Sequence, residues 1–161
     1  MPILPILPSV RAGPASREEA SRSLGLAGAK QYVATRLGFK IIYERQRLDA
    51  DDLDIVARDG DAYLVVAALG PDCQPNSCPI PNYINADTNE PWWAMEGSLK
   101  YLEIMLASMQ QSSDSHSKSM ACELLSALLS GKLRYNRVQT CFNTDGEGLY
   151  FEDTKFDLSK E

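Results

Sequence analysis

Asp54 opens a short apolar run, Asp52-Leu53-Asp54-Ile55-Val56-Ala57, as an acid at the mouth of a strand. Carboxylates in that position hold hard divalent cations, and metal-assisted cleavage of a phosphodiester needs several such oxygens around one ion. Asp52, Glu44, Asp51 and Asp72 are the acids that could join Asp54, and Lys40 could orient an attacking water. The following strand should complete such a site, yet it offers Val65, Ala67 and Leu69 on the face shared with Asp54. One secure carboxylate does not hold Mg²⁺ well, so the expectation is no metal and no catalytic residue. The alternative reading keeps Asp54, Asp52, Glu44 and Lys40 as a relocated catalytic set, with Asp54 binding Mg²⁺. A structural reading competes with both: Asp54 as a strand-end acid beside Arg45 or Arg47.

The elements that must position these residues follow from pattern. Ser16-Arg17-Glu18-Glu19 is a capping box, predicting a helix from Ser16 to about Leu37 with Gly38 as its stop. Gly25 and Gly28 weaken that helix, and close approach to a sheet would explain them. Phe39 to Arg47, Leu53 to Arg58 and Ala62 to Leu69 read as strands. Asp59-Gly60 reads as a two-residue hairpin turn, which would set Asp54 opposite Val65. The strand Ala62–Leu69 is apolar on both faces, so it belongs in the middle of the sheet.

Residues 70–91 read as a long loop, and Pro91 to Gln111 as a second helix with Trp92, Met95, Leu99, Leu102, Leu106 and Met109 in one stripe. Lys118 to Ser130 is a third helix after a polar linker. Leu133 to Phe142 and Gly148 to Glu152 form a closing hairpin. The order α-β-β-β-α-α-β-β predicts one mixed α/β domain over residues 16–158, helices packed on a central sheet.

The composition is that of a soluble globular chain: 161 residues, 44% hydrophobic and 24% charged. No apolar run reaches the ~20 residues of a membrane span. The net charge of −6 is uneven, with eight Lys/Arg against four acids in residues 1–50 and eight against eighteen beyond. That balance argues against general binding of phosphate backbones, although Arg36, Lys40, Arg45 and Arg47 make a small basic group. Cys73 and Cys78 share a C-x4-C spacing, but His116 is the only histidine, too few ligands for structural zinc. Cys122 and Cys141 fall in helix and strand patterns where thiols are commonly buried. Residues 1–15 carry Pro2, Pro5, Pro8 and Pro14 and read as an extended arm rather than a secretory signal. The expected compartment is cytoplasmic, with an organelle matrix as the alternative.

Several of these segments together resemble the YraN-like family of the PD-(D/E)XK restriction-endonuclease-like superfamily. They are Gly25-Leu26-Ala27-Gly28-Ala29 in the helix, Gly38-Phe39 at the strand start, and Arg45-Gln46-Arg47. Asp52-Leu53-Asp54-Ile55-Val56-Ala57-Arg58-Asp59-Gly60-Asp61 follows, then Val66-Ala67-Ala68-Leu69, and later Arg134-Tyr135-Asn136-Arg137-Val138. The resemblance covers residues 22–70 well and 118–158 loosely. It implies a restriction-endonuclease-like fold and a Mg²⁺-dependent nuclease site. It also implies what is missing: the family's helix acid stands as Ala29, its strand acid as Ala67 and its lysine as Leu69.

The expected function is therefore a catalytically degenerate nuclease-like domain serving as a structural or binding component. A protein partner or larger assembly is preferred over DNA or RNA, with no membrane association. Arg45, Arg47, Trp92 and Trp93 are the candidate binding residues, the tryptophans because exposed indoles anchor interfaces.

Overall fold

A computed structural model describes residues 14–45, 53–71, 75, 77–142 and 148–158. Five strands form one mixed sheet: β1 (Lys40–Glu44), β2 (Ile55–Asp59), β3 (Ala62–Leu69), β6 (Leu133–Phe142) and β7 (Leu149–Phe156), side by side in that order. β4 (Ser77–Asn85) and β5 (Glu90–Met95) form a separate two-stranded ribbon. α1 (Pro14–Tyr32) continues through a π turn at Val33–Leu37, while α2 (Leu99–Gln110) and α3 (Ser115–Leu129) follow the ribbon.

The sheet is covered on both sides. Ala29 of α1 and Val33 of the π turn pack with Ile55, Ala57, Leu64, Val66 and Val138. On the other face Val56, Val65, Ala67 and Tyr135 meet Leu102, Leu106, Met109 and Leu124 from α2 and α3. β3 supplies residues to both layers, with Leu64, Val65 and Val66 all essentially inaccessible. Its two-sided apolar sequence is what a central strand requires, and it does lie between β2 and β6. The β3–β6 pair is parallel and the others in this sheet antiparallel. α2 and α3 lie in the connection that parallel pairing demands.

Glycines set how closely α1 approaches. A Cβ at Gly25 would collide with the Leu69–Gly70 peptide, and one at Gly28 with the Thr140 side chain. Gly38 ends the helix in the left-handed region at φ 72°, where its N–H bonds the Val33 carbonyl.

Three sequence expectations require correction. The 70–91 segment is not a loop, because it contains β4 and the start of β5. The helix expected from Pro91 begins only at Leu99, and Trp92 and Met95 belong to β5. Gly97, at φ 104°, breaks the chain, and Ser98 then caps α2 by accepting the Tyr101 N–H at 3.1 Å. Adjacent tryptophans favour a strand over the helix that the spacing alone suggested. Third, the hairpin turn is Gly60-Asp61: Asp59 pairs with Ala62 and Ile55 with Val66. Only Gly60 takes positive φ (63°), so no left-handed aspartate is needed. Smaller differences also hold. α1 starts at Pro14, before the expected Ser16 cap, and β7 runs on to Phe156. Cys122 is exposed rather than buried.

α3 is capped by Asp114, whose carboxylate accepts from the His116 N–H at 3.2 Å and the Ser117 hydroxyl at 3.1 Å. These bonds, the backbone one foremost, hold the carboxyl below the usual aspartate range. The stabilisation is present above the ordinary aspartate value and is lost as pH falls through the depressed folded value. Asp114→Asn keeps a capping oxygen without the charge. Thermal melts from about pH 5 down to about pH 2 should therefore show a shallower acid decline for the variant. Superimposable acid limbs would contradict the cap assignment.

Candidate functional site

Asp54 lies immediately before β2, at the end of the sheet away from the Gly60 turn. Continuing the β2–β3 register sets it opposite Ala67, two residues beyond the Val65 expected from sequence. The last paired residues are Ile55 and Val66, and the Asp54 carboxylate takes over from the ladder there. Its Oδ2 accepts the Ala68 N–H at 2.8 Å, so a side chain satisfies β3 where the main-chain ladder has ended.

Its Oδ1 meets the Arg45 Nε at 2.9 Å, and the Arg45 N–H donates to the Asp54 carbonyl at 2.8 Å. Arg45 and Asp54 are thus clamped through both main chain and side chain. Their side chains are only 7% and 13% exposed. Burial raises the Asp54 carboxyl above the usual aspartate range, while the charge of Arg45, the Ala68 N–H and the charge of Arg22 pull it down. Two cationic side chains therefore already act on this one acid.

Beside the pair is a cavity of about 10 Å³, lined among others by Asp54, Ala67, Glu96, Tyr101 and Tyr135. That volume holds roughly one water molecule. Burial, with the Glu96 charge adding, pushes both phenols well above the ordinary tyrosine value, so they are neutral at physiological pH. The Gly97 N–H donates to the Tyr135 hydroxyl at 3.3 Å and fixes the turn that carries Glu96.

Glu96 was missed from sequence. It arrives after β5, inside a stretch whose spacing suggested a continuous helix, and is 8% exposed. Glu96-Gly97-Ser98 was the available signal: an acid, a breaker and a cap in an otherwise apolar segment.

The other expected site residues disperse. Glu44 is next to Arg45, but its carboxylate pairs with Lys30 of α1 at 2.7 Å. Lys40 stands opposite Arg58 near the hairpin turn. Arg58 lies three positions beyond Ile55 along β2, roughly 10 Å of strand, so Lys40 is not at Asp54. Asp51, Asp52, Asp72, Arg47 and Cys73 lie outside the described residues. Ala29 and Ala67, where the resemblance implies two metal-binding acids, occupy opposite layers of the core. Among the described residues no group of three or more His, Cys, Asp or Glu side chains could hold a metal ion. Arg45, expected to bind a partner, is ion-paired with Asp54.

Trp92 and Trp93 are each 55% exposed on β5, and Met95 is 53% exposed beside them. Ala94 between them is buried against the α2–α3 layer, so the ribbon is anchored by its inner face. Among the described residues no helix is long and apolar enough to cross a membrane. Comparison with family models, with curated proteins and with solved structures found no match.

Proposed function

We propose that this chain is a restriction-endonuclease-like domain that has lost its catalytic centre and acts as a binding or structural component for a protein partner. The observation that carries this reading is the state of Asp54. Its two carboxylate oxygens are engaged by the Arg45 guanidinium and the Ala68 N–H, and the β2–β3 register, continued by one residue, sets Ala67 opposite it. A Mg²⁺ ion would have to displace a buried cation and find further oxygens. It also keeps several waters of its own, for which a space of about 10 Å³ has no room. The alternative, an active Mg²⁺-dependent endonuclease with relocated ligands, has Glu96 as its one supporting observation, since that acid shares the cavity with Asp54.

The binding surface in this reading is the β4–β5 ribbon. Indoles held half in solvent on an anchored strand present rigid apolar area at low entropic cost, which is how interface anchors work. A double variant, Trp92→Ala/Trp93→Ala, should still fold, at a cost of about 1 kcal/mol per indole for the part of each that is buried. It should lose the partners captured by the intact chain in a pull-down resolved by mass spectrometry. An unchanged set of partners would remove the ribbon from the account. Cleavage of single-stranded, duplex or branched DNA with Mg²⁺ or Mn²⁺, abolished by Asp54→Ala, would favour the active alternative.

A further inference from the structure

The two edges of the main sheet are built differently. β1 is five residues long and its pairing with β2 shifts between Ile41 and Tyr43, while Lys30 of α1 reaches over to Glu44. A short, bulged strand with charges on it is the usual protection of an edge. β7 is charged as well, at Glu152, Asp153 and Lys155, but it is neither short nor bulged. It is eight residues long, pairs with β6 without a register shift, and contains neither proline nor glycine. Among the described residues its outer edge makes no main-chain hydrogen bond. Leu149 and Tyr150 at its start are 44% and 45% exposed, and Phe142, the pairing partner of Leu149, is 55% exposed.

We propose that β7 pairs antiparallel with β7 of a second copy of this chain, centred on Thr154, so that two sheets join into one across a two-fold axis. The charge order selects both the occupant and the register. Neighbouring residues on a strand point to opposite faces, so a two-fold axis through a sheet must set one residue against its own copy. Centring on Glu152, Asp153 or Lys155 sets like charges face to face. Centring on Phe151 overlaps as much of β7 as centring on Thr154 does, but it sets Glu152 against Tyr150 and Asp153 against Leu149, with no opposite-charge pair. Centring on Thr154 instead places Asp153 of each copy opposite Lys155 of the other, with Thr154 against Thr154 between them. Opposite charges and paired threonines are both favourable cross-strand contacts.

Asp153 is pre-set for this role. One oxygen accepts from Asn136 Nδ2 at 2.9 Å and the other from the Tyr32 hydroxyl at 3.2 Å, which fixes the carboxylate and leaves lone pairs for an incoming lysine. The inference stands on the sheet edge alone and does not require the lost-activity reading.

Analytical ultracentrifugation of the full chain at roughly 100 μM, where a small interface still populates a dimer, tests it. The wild type should sediment as a concentration-dependent dimer. Lys155→Glu and Asp153→Lys should each weaken self-association about tenfold, since each sets like charges opposite one another at both contacts. Mixing the two variants restores opposite charges at both contacts, so a heterodimer should form at near wild-type affinity. That rescue separates edge pairing from a folding defect, which mixing would not repair. A wild type that stays monomeric, a Lys155→Glu variant that dimerises as tightly as the wild type, or a mixture that fails to associate would overturn the proposal.

Discussion

Asp54→Ala should destabilise this protein by about 3–5 kcal/mol while removing no metal-dependent activity. Burial sets the size of the effect. An exposed ion pair contributes at most about 1 kcal/mol, because water solvates the separated charges nearly as well. Arg45 is only 7% exposed, so without Asp54 its guanidinium loses a buried counter-charge and cannot recover full hydration. The Ala68 N–H loses its acceptor at the same time. For a chain of this length the loss corresponds to a fall in Tm of roughly 6–20 °C.

The informative comparison is Asp54→Leu combined with Arg45→Met, which removes both charges and leaves apolar atoms of similar volume. Exchanging a buried pair for packed apolar groups is often close to neutral, so the double variant should be markedly more stable than Asp54→Ala. Equal destabilisation of the two would show that Asp54 serves the fold in some way other than as the counter-ion of Arg45.

The second large effect is expected where α1 crosses the end of β3. A Cβ on Gly70 would overlap the Ser21 carbonyl, and one on Gly25 would meet the Leu69–Gly70 peptide. Both obstacles are backbone, which cannot turn aside as a flexible side chain can. Gly25→Ala and Gly70→Ala should each cost about 3 kcal/mol, at the upper end for overpacking, despite the gain in helix propensity at position 25. Because α1 must lift away to relieve the clash, amide exchange should rise in α1 more than in α3. Melting curves indistinguishable from wild type would mean that this crossing is looser than its geometry implies.

These glycines also show what the sequence could convey. Gly25 and Gly28, three apart and costly in a helix, signalled close approach, and they meet β3 and β6. β3 and β6 were legible residue for residue, as Ala62–Leu69 and Leu133–Phe142, because long β-branched and aromatic runs bounded by turn residues have few alternatives. The ribbon was not. Trp92, Met95 and Leu99 fall at helical spacing by coincidence across a strand, a turn and a helix start, and period alone cannot separate those. Within the candidate site, Asp54 and its possible pairing with Arg45 could be read from strand-end position and charge. Glu96 could not, since its approach to Asp54 depends on the Gly97 turn and on α2 packing beneath the sheet. The hairpin register slipped by a single turn residue, because Asp59-Gly60 and Gly60-Asp61 are both acceptable turns and only the strain at the aspartate distinguishes them.

Calorimetric titration of Mn²⁺ into the wild-type chain, with Asp54→Asn titrated in parallel, bears most directly on the proposal that this chain has no working metal site. The two chains should give the same weak, unsaturated heats, because Arg45 already neutralises the one carboxylate that a metal would need. A saturable wild-type isotherm that vanishes in Asp54→Asn would contradict the account and establish a working metal site.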